Sequence, residues 1–143
     1  MGSDVADSKN IKFSVQSNLS ELLPVRNKIR NFIGNALDDI SMNRTILSVD
    51  EALANVIIHG YGDTAGLICI ELNETDESFI ITLTDHAPPF NPLSVNSPDY
   101  EAYHNSGDSN GLGVDVYRRL MKTSYSRTGD EHNRLELIME KNK

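Results

Sequence analysis

The chain has 143 residues, with 13 lysines and arginines against 21 aspartates and glutamates, and a formal net charge of −8. This length fits one domain, which can bury roughly 68–70% of the surface of its unfolded chain. The acidic balance disfavours non-specific nucleic-acid binding, which needs basic side chains to replace counterions, and favours basic or neutral partners.

The N-terminal segment is polar and lacks the apolar stretch of a signal peptide. We therefore expect a flexible tail over residues 1–10 and a single domain over residues 11–143. No segment has the length that a membrane span requires, so no membrane partner is expected. Cys69 is the only cysteine and lies in an apolar run, where we expect a buried thiol. One cysteine excludes an internal disulfide and fits a reducing cytoplasm.

The first half of the chain predicts a strand and two helices. Ile11, Phe13 and Val15 alternate with polar residues, as in a half-buried strand. We expect Ser20 to cap a helix that runs to about Asp38. Its apolar stripe consists of Leu22, Val25, Ile29, Phe32, Ile33 and Ala36. Ser41 is expected to cap a second helix that ends near Gly60 or Gly62, because glycine permits a left-handed exit.

The second half of the chain predicts a hairpin, a long loop, a helix and two more strands. The hairpin joins residues 64–73 to residues 78–84 through an acidic turn, and prolines close its second strand. Residues 91–110 show no period, and loops of that length are usually functional or disordered. A third helix is expected over about residues 111–122, with Val116, Tyr117, Leu120 and Met121 facing inward. Strands are expected over residues 124–127 and 134–140.

This order of elements predicts an α+β fold. Strands joined by tight turns favour a mixed, mostly antiparallel sheet, and three amphipathic helices can cover one of its faces. The expected architecture is a two-layer α/β sandwich.

Three clusters carry residues suited to chemistry. The first lies on the second helix, where Glu51, Asn55 and His59 follow one another at intervals of four residues. They form a narrow polar stripe opposite the apolar face of the helix. Such a stripe can hold a metal-bound phosphate and act on it. A solvated helix face is the alternative.

The second cluster is the run from Asp85 to Pro92, which follows the hairpin. A carboxylate at a strand end can accept a hydrogen bond from an exocyclic amine such as that of adenine. The alternative is an aspartate that caps a turn.

The third cluster, Ser106 to Gly113, is rich in glycine and precedes the third helix. Backbone amides and the helix dipole at such a place favour an anion. It lacks the Gly-Lys-Ser/Thr of a Walker loop, and it follows a loop and not the strand of a Rossmann fingerprint. A flexible loop that enters a helix is the alternative.

Taken together and in this order, the clusters resemble the GHKL ATPase superfamily, which has the Bergerat ATP-binding fold. Within it the chain is most similar to the bacterial anti-sigma-factor serine kinases. Three segments carry that closer likeness: the His59-Gly60-Tyr61 ending, the Pro88-Pro89-Phe90-Asn91-Pro92 variant, and the tail with Tyr125-Ser126-Arg127 and Asn133-Arg134-Leu135. The resemblance covers roughly residues 11–140.

The resemblance implies ATP and Mg²⁺ as cofactors and assigns roles by motif. Glu51 would be the general base, Asn55 the magnesium ligand, and Asp85 the acid that binds adenine. The remaining nucleotide-binding positions would be Ala87, Phe90, Gly107, Asn110, Gly111, Leu112 and Gly113. Residues 91–110 would form a mobile lid. Phosphoryl transfer asks mainly for positioning and charge stabilisation, and Mg²⁺ accepts few protein ligands, so these roles are physically consistent.

The chain departs from the superfamily pattern at two places. Ala87 stands where many members have glycine, which adds a methyl group beside the adenine pocket. The threonine that many members place in a late strand has no clear match, and neither Thr128 nor Asn133 receives an assignment. We expect His59 to fix the end of its helix by hydrogen bonding.

The resemblance implies an ATP-dependent serine/threonine-protein kinase that phosphorylates a small anti-anti-sigma (antagonist) protein. It would also sequester a sigma factor or similar regulator, without touching nucleic acid, and a homodimer is consistent with the family. The alternative is an ATP-gated protein-binding module without phosphotransfer. The catalytic domain of a histidine kinase is disfavoured because 143 residues leave no room for a dimerisation helix pair. A plain structural domain would have no nucleotide affinity.

Overall fold

The structure, a computed structural model, describes residues 9–88, 117, 119–128 and 132–141. This part of the chain contains five strands and two long helices. Their bounds are β1 (Lys9–Gln16), α1 (Leu22–Ile33), α2 (Asp39–Asn55), β2 (Leu67–Glu74), β3 (Ser78–Asp85), β4 (Lys122–Thr128) and β5 (His132–Glu140). β1 begins inside the segment expected to be a flexible tail, because Lys9 and Asn10 pair with Glu74 and Asn73 of β2.

The five strands form one sheet in the order β1-β2-β3-β5-β4. Every pairing among these described strands is antiparallel, so the expected mixed character is not found there. The predicted hairpin is confirmed as β2 and β3, whose turn is closed by a hydrogen bond from the Thr75 N–H to the Ser78 carbonyl (2.9 Å). β5 inserts beside β3, and its start lies opposite the end of β3: Asp85 pairs with Asn133.

One face of the sheet packs on the helices and forms the core, which confirms the α+β class. Because strand residues alternate between faces, each strand gives every second residue to this core. The sheet contributes Val15, Ile68, Ile70, Leu72, Phe79, Ile81, Leu83, Leu135, Leu137 and Met139. The two helices contribute Val25, Ile29, Phe32, Ile33, Met42, Ile46, Val49, Ala52 and Leu53.

The third predicted helix falls mostly outside the described residues. Tyr117, Arg119 and Leu120 are helical, and the Met121 N–H donates to the Tyr117 carbonyl at 3.1 Å. Tyr117 and Met121 are buried, as the apolar pattern predicted. The helix is over by Lys122, where β4 begins.

Both predicted helix starts are corrected by one or a few residues. Asn18 accepts a hydrogen bond from the Ser20 N–H, and a short 3₁₀ turn (Leu19–Glu21) precedes α1. Asp38, and not Ser41, caps α2, since its carboxylate accepts from the Ser41 N–H at 2.7 Å. An ionised acceptor suits the positive end of a helix.

The end of α1 is also corrected. Gly34 has φ of 58° and stops the helix at Ile33, several residues before the expected end at Asp38. Ala36, placed on the buried stripe by the sequence, lies beyond the helix and is exposed.

α2 continues as a π-helical segment, Val56–Tyr61, and turns out at Gly62, whose φ is 59°. The predicted glycine exit is therefore confirmed at the second of its two candidate positions. The Gly62 N–H donates to the Ile57 carbonyl at 3.0 Å, which closes this wider turn. Single π turns inside helices occur frequently at functional sites.

Tyr61, at the end of the π segment, ties α2 to the sheet. Its hydroxyl donates to the Leu67 carbonyl, where β2 starts, and accepts from the His86 N–H just after β3, both at 2.8 Å. The ring lies directly over Gly66: a Cβ on that glycine would lie 2.2 Å from a ring carbon. Gly66 is further fixed by Ser17, with which it exchanges two hydrogen bonds of 2.9 Å.

The other face of the sheet is more polar, and it carries Cys69. This residue alternates with the buried Ile68 and Ile70, so it points away from the helices and is only half-buried. The expectation of a core thiol was wrong, because a strand reverses its faces at every residue. No helix in the described part of the chain is long and apolar enough to cross a bilayer.

We predict that Gly66→Ala lowers the free energy of unfolding by about 1–3 kcal/mol, because the new methyl group displaces the Tyr61 ring and breaks both of its hydrogen bonds. The matched background is Tyr61→Ala, in which the ring is absent. Chemical denaturation of the two single variants and the double variant gives the coupling energy. If the double variant loses as much free energy of unfolding as the two single variants together, the coupling is zero and this role of the ring is contradicted.

Candidate functional site

A cavity lies between the end of α2 and the β3–β5 end of the sheet; it opens to solvent, and its roughly 380 Å³ of empty space includes part of that solvent. Its lining includes two of the predicted clusters, which are 30 residues apart in the sequence: Asn55 comes from α2, and Asp85 and Ala87 come from the end of β3. The other lining residues in the described part are Ala52, Val56, Gly60, Pro88, Tyr117, Tyr125, Asn133 and Leu135. Mostly apolar walls with a few polar groups are typical of small-molecule sites.

Asp85 is the acid of this cavity and is only 4% exposed. Its Oδ1 accepts hydrogen bonds from the Ala87 N–H and from the Asn133 side-chain amide, both at 2.9 Å. No described residue donates to Oδ2. The predicted alternative, an aspartate that caps a turn, is therefore also realised, but by one oxygen alone. The second oxygen remains an acceptor for a ligand amine.

Asn133 is the main polar partner of Asp85, and it is 6% exposed. Its Nδ2 also faces the carbonyls of Ala87 (3.1 Å) and Pro88 (3.3 Å). Its Oδ1 accepts from the Tyr125 hydroxyl and from Arg127 Nη1 (3.0 Å). Arg127 Nη1 in addition donates to the Ala87 carbonyl at 3.2 Å. Two neighbouring strands thus hold the turn that follows β3.

Asn55 occupies the opposite wall and is 9% exposed. Its Nδ2 is buried and has no hydrogen-bond partner among the described residues. A buried amide group without a partner costs free energy unless a ligand or water satisfies it. The amide oxygen and nitrogen exchange places by a simple flip, so this carboxamide can turn its oxygen towards a cation. Its chemistry therefore fits the expected magnesium-bound phosphate.

Glu51 lies one turn before Asn55 on the same helix and is half-buried, but it is not part of the cavity wall in the described residues. Burial, followed by the neighbouring charge of Asp50, raises the pKa of Glu51. Asp50 itself forms an ion pair with Arg26, with N–O distances of 2.7 and 3.0 Å. A carboxylate whose pKa is raised is closer to the range that general-base catalysis needs.

His59 does not stay on the polar stripe. The sequence placed it in line with Glu51 and Asn55 on the assumption of a uniform α-helix, but the π segment begins at Val56 and its wider turn rotates later residues. His59 is exposed, and its side chain forms no hydrogen bond with a described residue. The expected fixing role passes to Tyr61.

Ala87 is accommodated by a glycine on the facing helix end. It is 2% exposed, and a Cβ built on Gly60 would lie 3.1 Å from the Ala87 methyl. This is closer than ordinary van der Waals contact. The extra methyl group at position 87 therefore uses space that the absent side chain of Gly60 leaves, and the cavity beside it stays open.

Six predicted nucleotide-binding residues lie outside the described residues. They are Phe90, Gly107, Asn110, Gly111, Leu112 and Gly113, together with the predicted lid over residues 91–110. Their roles stay predictions.

Sequence reasoning assigned no role to Tyr125, Arg127 or Asn133. A signal was available: on β5, Asn133 shares a face with Leu135, Leu137 and Met139, and a lone asparagine on the apolar face of a strand needs a buried partner. The partner itself was not readable, because it required the pairing of β5 with β3.

The sequence matches the family model described as histidine kinase-like ATPase domain over residues 15–139. No curated protein matches it significantly.

Solved structures share the fold. The RsbU and RsbW domains of Rv1364c from Mycobacterium tuberculosis match with a TM-score of 0.62 and 13% identity, over 91% of this chain and 32% of that one. The SiaB–SiaC complex from Pseudomonas aeruginosa matches with a TM-score of 0.55 and 15% identity, over 91% and 89%. The Acinetobacter baumannii histidine kinase AdeS matches with a TM-score of 0.50 and 12% identity, over 92% and 68%. The chain thus spans about a third of the first of these.

We predict that Glu51→Gln stabilises the protein at pH 7 and not at pH 4. Because the folded-state pKa of Glu51 is raised, the folded protein disfavours its ionised form above that pKa, whereas below the unfolded pKa both states are protonated and the penalty vanishes. The expected rise in Tm at pH 7 is at most about 3 °C. The control is Glu77→Gln, an exposed turn residue. Equal Tm values for Glu51→Gln and wild type at pH 7 would argue against a strained carboxylate.

Proposed function

Because this chain belongs to the histidine kinase-like ATPase family, we propose that it uses ATP to phosphorylate a serine or threonine of a small antagonist protein. The observation that carries the proposal is the convergence of Asn55 and Asp85 on one cavity from separate parts of the chain. In this proposal the kinase also binds a sigma factor or a similar regulator, and phosphorylation of the antagonist decides which partner it holds.

In the proposed site the purine lies against Asp85. Asp85 offers one acceptor oxygen, and Ala52, Val56 and Leu135 supply apolar walls. Across the cavity, the carboxamide of Asn55 would hold the phosphates through Mg²⁺, which neutralises their charge when bound. This division places the reactive end of the nucleotide next to α2, the helix that carries Glu51.

Glu51 is the proposed base. In the transfer, the bond between the γ-phosphorus and the β–γ bridging oxygen breaks, and a bond to the acceptor hydroxyl oxygen forms. The hydroxyl proton goes to the Glu51 carboxylate, and ADP leaves. The raised pKa of Glu51 supports this role, because a base whose pKa is higher accepts the proton more readily.

One observation favours a second candidate, an ATP-gated binding module that performs no transfer. Glu51 lies outside the described cavity wall, so a bound nucleotide need not meet it. The module would bind ATP and change its affinity for a partner without labelling any protein.

We predict that Glu51→Ala reduces phosphotransfer by about 100-fold or more, since general-base catalysis contributes roughly 10²–10⁴ in rate. The assay uses γ-labelled ATP with candidate antagonist proteins that contain an acceptor serine. Glu77→Ala serves as the control, and ATP affinity measured by calorimetry should be similar in both variants. Undiminished label transfer by Glu51→Ala would remove Glu51 from the mechanism. Tight ATP binding by the wild type with no transfer to any antagonist would favour the binding module.

We predict that Asn55→Ala weakens ATP binding only when magnesium is present. In the proposed site its carboxamide acts through the metal, so wild type and variant should bind ATP equally in EDTA, and the wild type alone should gain affinity on addition of Mg²⁺. Titration calorimetry under both conditions measures the difference. Ser48→Ala, a buried residue on α2 that does not line the cavity, is the matched control. An equal loss with and without magnesium would mean that Asn55 contacts the nucleotide directly or only supports the fold.

A further inference from the structure

The tail segment that resembles the kinase branch, with Tyr125, Arg127 and Asn133, has no role in the function proposed so far. The structure brings these three residues together across the β4–β5 hairpin, where Arg127 pairs with Asn133 and Tyr125 with Leu135. Tyr125 and Asn133 also line the cavity. Their placement at a ligand site calls for a function.

The direction of the Asn133 amide is fixed by its neighbours. Its nitrogen faces three acceptors, namely Asp85 Oδ1 and the carbonyls of Ala87 and Pro88. Its oxygen faces two donors, the Tyr125 hydroxyl and Arg127 Nη1. A flipped amide would be mismatched at four of these contacts, since of the five partners only the Tyr125 hydroxyl can both donate and accept, so the observed orientation is the favoured one.

This fixed amide in turn gives the two oxygens of Asp85 different roles. Oδ1 receives the Asn133 amide and the Ala87 N–H, and both hydrogen bonds are 2.9 Å. The carboxylate cannot rotate without breaking them, so Oδ2 is held in one position as a bare acceptor. A network of this kind is costly to bury unless every member is satisfied, and an apolar pair would close the same strand ends more simply.

We propose that Asn133 is a positioning residue for base selection: backed by Tyr125 and Arg127, it holds Asp85 so that Oδ2 accepts from the 6-amino group of adenine. The inference rests on the proposed function, because it assumes that the purine occupies this cavity. In this proposal Asn133 acts through Asp85. It converts a rotatable carboxylate into a fixed acceptor, and this favours a purine that carries a donor at position 6.

The test compares the affinities of ATP and of purine riboside 5′-triphosphate, which lacks the 6-amino group, by titration calorimetry. The ratio of the two dissociation constants isolates the bond to Oδ2. For the wild type we expect ATP to bind roughly 10- to 100-fold more tightly. Asp85→Ala defines the floor, with a ratio near one. Asn133→Leu should bring the ratio close to that floor, and the ratio cancels any loss of affinity that is common to both nucleotides.

Two milder variants keep the test decisive if Asn133→Leu does not fold. Tyr125→Phe removes only one donor to the Asn133 oxygen and should lower the ratio by about two- to fivefold. Asn133→Thr retains one hydroxyl donor for Asp85 and should restore part of the ratio lost in Asn133→Leu. A residue with a purely structural role would weaken both nucleotides equally and leave the ratio unchanged. Circular dichroism and thermal unfolding confirm that each variant is folded.

Three negative outcomes of this test have different meanings. If folded Asn133→Leu, or Tyr125→Phe where the leucine variant does not fold, keeps the wild-type ratio, the positioning role is overturned while ATP binding stands. If the wild type binds ATP and the analogue equally, the contact between Asp85 and the amino group is wrong, and the inference fails with it. If the wild type binds neither nucleotide, the proposed function itself fails.

Discussion

A buried carboxylate at the end of the central strand constrains this molecule more than any other group. Asp85 is 4% exposed, and a polar side chain at that depth is tolerated only where hydrogen bonds replace those that it would make with water. Two such bonds reach one of its oxygens, from the Ala87 backbone and from Asn133. Because Asn133 must be opposite Asp85 for this, the order β3-β5-β4 is required for the site as well as for the core. The pairing of β3 with β5, the turn over residues 85–88 and one wall of the cavity thus meet at this side chain.

The helix side of the cavity follows from a different constraint, the geometry of a chain exit. α2 carries Glu51 and Asn55 on a regular α-helix and then widens into a π turn before Gly62. After that turn, the Tyr61 hydroxyl forms hydrogen bonds to Leu67 and His86 at the open end of the β2–β3 hairpin. One hydroxyl group therefore joins α2, which carries the proposed general base, to the strand that carries the proposed adenine-binding acid. The distance across the cavity is set by this link and by the contact between Gly60 and Ala87.

Local patterns were enough to predict most of the architecture. Alternation of apolar residues located the strands that form the core face, the glycine exit of α2 was found, and the order of elements gave the two-layer α+β class, which the family match supports. The errors lie at helix ends, where another nearby residue was the stronger local signal, and in the π turn, which apolar periodicity does not reveal. Asp38 caps α2 in place of Ser41, and Gly34 ends α1 early. The π turn moves His59 away from the polar stripe that it would share with Glu51 and Asn55 on a uniform α-helix. For the site, Asn55 and Asp85 share a cavity as the motif order suggested. Asn133 was out of reach, because its meaning depends on which strand lies beside β5, and periodicity carries no information on strand pairing.

The close approach of Gly60 to Ala87 has a consequence for sequence change over evolutionary time. A Cβ on Gly60 would lie 3.1 Å from the Ala87 methyl, so a second methyl group fits only if its surroundings shift by a few tenths of an ångström. Alanine at the turn therefore favours glycine at the helix end, whereas glycine at the turn removes this close approach and leaves the helix end less restricted. The two positions are 27 residues apart in the chain and yet should drift as a linked pair, with the intermediate that carries two methyl groups avoided.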